Sequence, residues 1–516
     1  MAESLTQRTI KNNVYSLIGF IWPLVLSFVA APIIIRGLGS AKFGFFSLLN
    51  TMMMLFGLLD FGISYTLTQA MSAKRQQPEG EELSSLLGST LTLYAIIGTA
   101  VMVVLFLLPG TFQHLFKIPS GFISSFTAAF FIVGLVFFLN MVSIPFVQIP
   151  YALQRSDIGV KISLVSNAIL EIGSIVAIKT GHGILSLLII QLVASIFLFF
   201  SMVLVWRHLA PKLRLRLQLP WHVIATIGRQ GFWVFFSNTM GNILAQLDKF
   251  VLGAMWGPAA VGYYSTAQMI PEKISGTSIS LSNIFFPVFA EAATTQQEGE
   301  QKVKKIFRRS LGIIPVITAG LATLVLIYGY QLIYFWVSKD FADHTSLAVP
   351  LLAVTYFFLG FGSFFNAFLS GLKALKFLAL SSMIVAVVDV IFMFILIPGY
   401  GVNGAAFAYL LSGLPMLGFL YYIERHYFNS SRKDMIVFYS ELFAKILSVS
   451  ALIFLAGLFL LRPLATNLAM VMVLGALTFG LYLLAYWLLG FYMVEDMALF
   501  KVYLGRFVSF FKKIKT

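Results

Sequence analysis

Seven ionisable side chains fall inside long apolar stretches of this sequence: Asp60, Glu171, Asp248, Lys249, Glu272, Lys273 and Asp389. On an insertion scale each costs roughly 2.5–3.5 kcal/mol at the centre of a bilayer, so together they would cost about 20 kcal/mol facing lipid. They must pair, take up a proton or face a wetted cavity. Lys249 is the most informative. At 100° per residue, Asn238, Asn242, Gln246 and Lys249 fall within about an 80° arc of one helix. A cation among neutral amides suits an anionic ligand. Lys273 and Arg36 are the second and third candidate cations for that ligand. Asp248 lies about 100° away from Lys249 and is expected to meet a neighbouring helix instead. Gln268, Glu272, Ser275 and Ser282 form a second polar stripe, and Asn50, Gly57, Ser64 and Thr68 a third. Catalytic and metal chemistry find no residues to use. There is no Cys, the six His are scattered, and no HExxH, DxD, GxSxG or phosphate-loop pattern occurs. No catalytic residue, metal ligand or cofactor is therefore assigned. With no nucleotide motif, ATP cannot drive a cycle, and an H⁺ or Na⁺ gradient is the source left. Coupling requires a carboxylate that gains and loses a cation between states. Asp248 ranks first for that role, then Glu272 and Asp60.

The elements that must hold these residues are membrane helices. The chain has 516 residues, 59% apolar and 11% charged, against about 45–50% and about 25% in soluble proteins. That excludes a soluble enzyme, a disordered chain and a nucleic-acid binder. An apolar run of about 20 residues spans a bilayer as a helix. Fourteen such runs are expected, from 14–35 to 463–490, including 44–70, 230–256, 262–290 and 446–461. The stretch 423–446 is expected to be a loop, and 496–516 an amphipathic helix in the membrane interface. The polar start lacks a small-residue cleavage site, so the first run is expected to be retained. With the N-terminus inside, the cytoplasmic segments carry 27 of the 35 Lys and Arg, the external ones 6, and Lys249 and Lys273 lie within spans. That bias puts both termini in the cytoplasm.

The sequence also repeats. A shift of 218 residues lays GSAKFGFFS (39–47) on GPAAVGYYS (257–265), Gly181-His182-Gly183 on Gly399-Tyr400-Gly401, and Glu171 on Asp389. The expected organisation is two six-helix lobes, 1–218 and 219–432, then a two-helix extension (433–495) and the interfacial tail (496–516). Six spans per lobe insert both lobes the same way up, so their pseudo-twofold axis runs along the membrane normal, with a ligand site between the lobes near mid-membrane. The symmetry of Glu171 and Asp389 suggests a shared structural role.

These repeats carry a family resemblance. QLDKFVLGAMWGPAAVGYYSTAQ (246–268), GLGSAKFGFFSLLN (37–50) with LLDFGISYTLTQ (58–69), and LIPGYGVNGAAFAYL (396–410) resemble the bacterial polysaccharide transporters. Their superfamily also holds multidrug and toxin extrusion proteins and the lipid II flippase. The likeness covers about 1–425. It implies an all-α polytopic flippase of the bacterial inner membrane, working by alternating access. The substrate implied is a polyprenyl-pyrophosphate-linked oligosaccharide, with Lys249 meeting the pyrophosphate and the amides the sugar. A polysaccharide polymerase and glycosyltransferases would be its partners, and nucleic acid would not. A lipid II flippase and a multidrug exporter are the alternatives within the superfamily. A membrane glycosyltransferase or polymerase is disfavoured because no segment is long enough for a catalytic domain.

Overall fold

A bilayer offers no water to an unpaired peptide group, so an apolar span must close its hydrogen bonds within itself. The computed structural model describes residues 5–73, 80–107, 109–117, 123–215, 236, 239–241, 243, 246–292, 299–372 and 374–489. Among the described residues every regular element is a helix. The all-α class read from the sequence holds. Ten described stretches are long and apolar enough to cross a membrane, which makes the chain a multi-pass membrane protein. Two of the ten, Ile21–Asp60 and Leu375–Phe428, run 40 and 54 residues and each overlaps two expected spans. Each divides at a glycine with non-helical dihedrals, Gly39 (φ 73°) and Gly401 (φ 53°). Most of expected span 230–256, with Asn238 and Asn242, and the tail 496–516 lie outside the described residues.

Three expected boundaries need correction, each for a local reason. The run 44–70 is not one helix. Leu5–Phe56 gives way to a tight turn at Gly57–Asp60, Phe61 (φ 49°) and Gly62 (φ 74°) turn left-handed, and a new helix starts at Ile63–Ala73. Asp60 stabilises the break. Its carboxylate accepts from the Ser64 backbone N–H at 3.3 Å and from Ser64 Oγ at 2.9 Å, doing for the new helix what an N-cap does. The run 262–290 also divides, into Pro258–Met269 and Glu272–Ala292, because Pro271 has no N–H to continue the ladder. The expected loop 423–446 is largely helical. Ser431 caps it by accepting from Asp434 N at 3.1 Å, and Arg432–Ala456 follows. A charged first half does not end a helix when its charges are paired, as Lys445 and Glu441 are one turn apart.

The described chain divides into two compact units, Met1–Thr266 with Leu375–Tyr409, and Ala267–Ala374 with Leu410–Thr516. In the first, helices Glu81–Leu107, Ile123–Ala152 and Ile184–Leu209 pack with Leu5–Phe56 around Leu49, Tyr94, Leu105, Phe130 and Leu188. A second cluster around Leu67, Leu87, Phe146, Met202 and Trp206 continues that core. Alternate connections gather at the same end. Lys117 Nζ donates to Met255 O at 2.9 Å, and Trp256 Nε1 to Ile397 O at 2.9 Å. At other connections, Arg214 N donates to Ser84 Oγ at 3.2 Å and Ser72 Oγ to Ala152 O at 3.4 Å.

The second unit is tied by charge at one end of its helices. Arg308, on Gly299–Trp336, donates to Glu424 Oε1 at 2.9 Å and Oε2 at 3.1 Å, and to Asp434 Oδ2 at 2.8 Å. Glu424 is 0% exposed. It also accepts from Tyr439 at 3.2 Å and from Ser430. The guanidinium lies 4.6 Å from the Phe438 ring centroid. Both carboxylate oxygens are thus satisfied, the condition under which a buried ion pair is tolerated. Farther along, Tyr328 and Thr478 share a 2.9 Å hydrogen bond, and Gly320 leaves room for Tyr482. These contacts fix Leu468–Leu488 and Arg432–Ala456 against Gly299–Trp336.

Candidate functional site: a glycine crossing above a buried polar cluster

The 218-residue repeat is visible as contact. A Cβ on Gly44 would lie 1.7 Å from Pro258 O, and one on Gly262 would lie 2.2 Å from Ser40 O. Ser47 Oγ and Ser265 Oγ share a 2.6 Å hydrogen bond across 218 residues. Residues 40, 44 and 47 thus meet 258, 262 and 265 reciprocally, as in a self-complementary two-fold contact. Each of these segments follows a left-handed glycine, Gly39 (φ 73°) and Gly257 (φ 80°), a conformation that costs an L-residue energy and glycine none. In lipid the hydrophobic effect gives helices little reason to associate. Close backbone approach through small residues supplies dispersion contacts instead.

One turn further along, the polar residues converge. Thr51 Oγ1 donates to Gln246 Oε1 at 3.3 Å, and Lys249 Nζ donates to the same oxygen at 3.2 Å. Asn50 accepts from Gln191 Nε2 at 3.3 Å while donating to Phe46 O at 2.9 Å. Asp248 is 0% exposed and Asp389 1%. The two carboxylates lie within electrostatic reach of one another, and the Tyr264 hydroxyl lies beside Asp248. Asp248 Oδ1 accepts from the Lys249 backbone N–H at 2.7 Å. Asp248 Oδ2 and both Asp389 oxygens have no hydrogen-bond partner among the described residues. Two buried carboxylates with so few hydrogen-bond partners form a candidate site for a proton or cation.

The sequence-derived candidates separate on this geometry. Gln246 and Lys249 come together with Thr51, while Asp248 lies by Asp389 and Tyr264. Asn50 lies on the same helix as Thr51 and binds Gln191 instead. Asp60 stands apart, accepting from Tyr94 and Ser64 at the helix break. Glu171 is half-buried on Ser156–Lys179. Arg36 is exposed in the first unit. In the second unit Gln268 is buried, while Glu272 and Lys273 are exposed at a helix start. The repeat also fails here in an instructive way. At the same offset Asp389 corresponds to Glu171, but Asp248 corresponds to Ala30. Only the second repeat carries the acid pair, and Glu171 and Asp389 occupy different surroundings. Sequence reasoning missed Thr51, Gln191 and Tyr264. The signal for Thr51 was its place beside Asn50 on a helix already singled out.

The fold is similar to that of solved transporters of the MOP superfamily. The chain matches a lipid II flippase, MurJ, in an inward closed conformation with a TM-score of 0.70 at 16% identity, over 91% of this chain and 97% of that one. An inward-facing multidrug resistance MATE family transporter gives 0.63 at 14% identity, over 79% and 97%. A MOP superfamily transporter from Pyrococcus furiosus gives 0.58 at 13% identity, over 81% and 95%. Residues 33–346 match the family described as "Polysaccharide biosynthesis protein", and the chain belongs to that family. It is 20% identical over 416 residues to the "Putative O-antigen transporter" of Shigella flexneri, covering 78% of this chain and 94% of that one. The relatives are transporters and flippases rather than enzymes.

Proposed function

We propose that this protein carries a polyprenyl-pyrophosphate-linked oligosaccharide from the cytoplasmic to the outer leaflet of a bacterial inner membrane. The observation that carries this reading is the family match over residues 33–346, and the name of the Shigella flexneri relative points the same way. The geometry adds an ammonium, Lys249, held by a neutral amide on the expected span 230–256. Such a group binds phosphate oxygens without the rigid fork of an arginine. Thr51, Asn50 and Gln246 offer hydroxyl and amide groups of the kind sugars bind, with Asn238, Asn242 and Gln268 as further candidates. Lys273 and Arg36 rank behind Lys249 as phosphate contacts. Two six-helix lobes, about 1–218 and 219–432, would alternate their opening. Fourteen spans with both termini inside follow from the Lys and Arg bias. The Asp248–Asp389 pair would take the coupling H⁺ or Na⁺, with Glu272 and Asp60 as lesser candidates. Glycosyltransferases and a polymerase would supply and consume the substrate.

A lipid II-type precursor is the second reading, favoured by the fold match that extends over 91% of the chain. The deciding experiment removes the protein from its host and follows lipid-linked glycans. A repeat-unit intermediate should accumulate unexported, and the wild-type chain should restore export. Lys249→Ala, present in the membrane at normal levels, should not. Accumulation of lipid II would favour the second reading. Unchanged glycan export with altered drug tolerance would defeat both.

A further inference from the structure

At the Gly39–Gly257 end of the first unit, beyond the polar cluster, lies a cavity of about 410 Å³. Lys42, Lys117, Trp256, Phe45 and Ile184 line it, and Gly257 and Pro258 form part of its wall. We infer that this cavity is a second binding site, for a sugar bearing a phosphate group. The inference deepens the flippase reading, which places this end of the helices outside the membrane.

Three features carry it. The first is the tryptophan. An indole that merely anchors a helix at a membrane surface turns its N–H to water and headgroups. Trp256 does otherwise. Its Nε1 donates to Ile397 O at 2.9 Å, beside the helix break at Gly401, and its ring packs on that glycine so closely that a Cβ there would lie 3.2 Å from the indole. The side chain is pinned, yet 52% of it is exposed. A pinned aromatic face on a cavity wall gives the C–H face of a pyranose a stacking surface with little entropy left to lose. The second feature is charge. Lys117 spends one N–H on Met255 O at 2.9 Å, which fixes its ammonium at the cavity while leaving two donors. Lys42 lies in the same lining, and among the described residues of that lining none is a carboxylate. Two ammonium groups suit a phosphate dianion. The third is size. Ligand pockets run from about 300 to 1,000 Å³, so this one suits one or two sugar rings rather than a long glycan. Its walls come from both sides of the glycine crossing, from Lys42 and Phe45 on one and Gly257 and Pro258 on the other. A bound sugar phosphate would therefore bridge the crossing and favour its closed form.

A soluble sugar phosphate and the phosphate-linked sugar of a membrane lipid share this chemistry, and the test separates them. The full chain in nanodiscs is titrated calorimetrically with glucose 1-phosphate, with glucose and with inorganic phosphate. Glucose 1-phosphate should bind saturably and more tightly than either component. Lys42→Gln and Lys117→Gln should each weaken it about tenfold. Trp256→Leu should weaken it as well, while Trp256→Phe, which keeps an aromatic face, should retain it. Thermal unfolding of each variant checks that the fold is intact. In a second arm the nanodiscs carry a polyprenyl-phosphate glucose. If that lipid abolishes glucose 1-phosphate binding, the site serves the membrane source; if it leaves binding unchanged, the soluble source. Failure of glucose 1-phosphate to bind, or equal binding by the wild type and the Lys42→Gln/Lys117→Gln double variant, would overturn the inference. Because no transport is read here, that failure would leave the flippase proposal standing.

Discussion

Asp248 and Asp389, both buried and within electrostatic reach of one another, are the pair proposed to take the coupling ion. Substituting either with its amide mimics the cation-bound state at nearly constant volume. Asp248→Asn and Asp389→Asn should each still bind glycan-lipid but lose gradient-driven transport. The measurement is initial flipping rate in proteoliposomes with and without an imposed ion gradient, and an unchanged gradient response in both variants would remove the pair from coupling. Gly44 and Gly262 carry a different demand at the same scale. A methyl at either position would collide with a backbone carbonyl, which cannot rotate aside as a side chain can. Gly44→Ala or Gly262→Ala should cost about 1–3 kcal/mol, the usual range for overpacking. Thermal unfolding in detergent should show both below the wild type, and Gly57→Ala, where a Cβ meets nothing within 4 Å, should fall by much less.

Among the elements, the least expected is the charged tie in the second unit. Arg308 holds a fully buried Glu424 in two hydrogen bonds and Asp434 in two more, joining Gly299–Trp336, Pro415–Phe428 and Arg432–Ala456. Arg308→Ala would strand a carboxylate in the interior and should cost about 3–5 kcal/mol. Replacing Arg308 by Met together with Glu424 by Leu should recover most of that loss, as measured by thermal unfolding. If the single and double variants unfold alike, the tie is not what holds these helices. None of this was legible in the sequence, where Glu424 reads as one more loop charge. Its burial depends on Arg308, 116 residues earlier. The helical class was legible because hydrocarbon leaves little choice of backbone structure. The breaks at Asp60 and Pro271 fall inside the expected spans 44–70 and 262–290, because hydropathy continues through them. The residues that terminate those helices act through single hydrogen bonds or a missing donor. The Lys249–Gln246 contact was legible from helical spacing alone. Asp389 as a neighbour of Asp248 was not, since 141 residues separate them and the repeat suggested a symmetric partner in Glu171.

For the whole molecule, the repeat offset of 218 residues supplies both a crossing and a way to test its motion. The proposed alternating access needs a contact that is firm in one state and separable in another. Small residues meeting through dispersion and one Ser47–Ser265 hydrogen bond fit that need better than a large interlocked interface. The chain has no cysteine, so a pair of new thiols would be the only ones present. The most direct measurement is flipping of a fluorescent polyprenyl-pyrophosphate oligosaccharide by the Ser47→Cys/Ser265→Cys variant in proteoliposomes. It would be read after oxidation and again after reduction. The account predicts near wild-type flipping when the thiols are reduced. It predicts near-complete loss when they are cross-linked, recovery on adding reductant, and no redox effect in either single variant. Full-rate flipping by the cross-linked protein would contradict it, because the crossing would then never need to open.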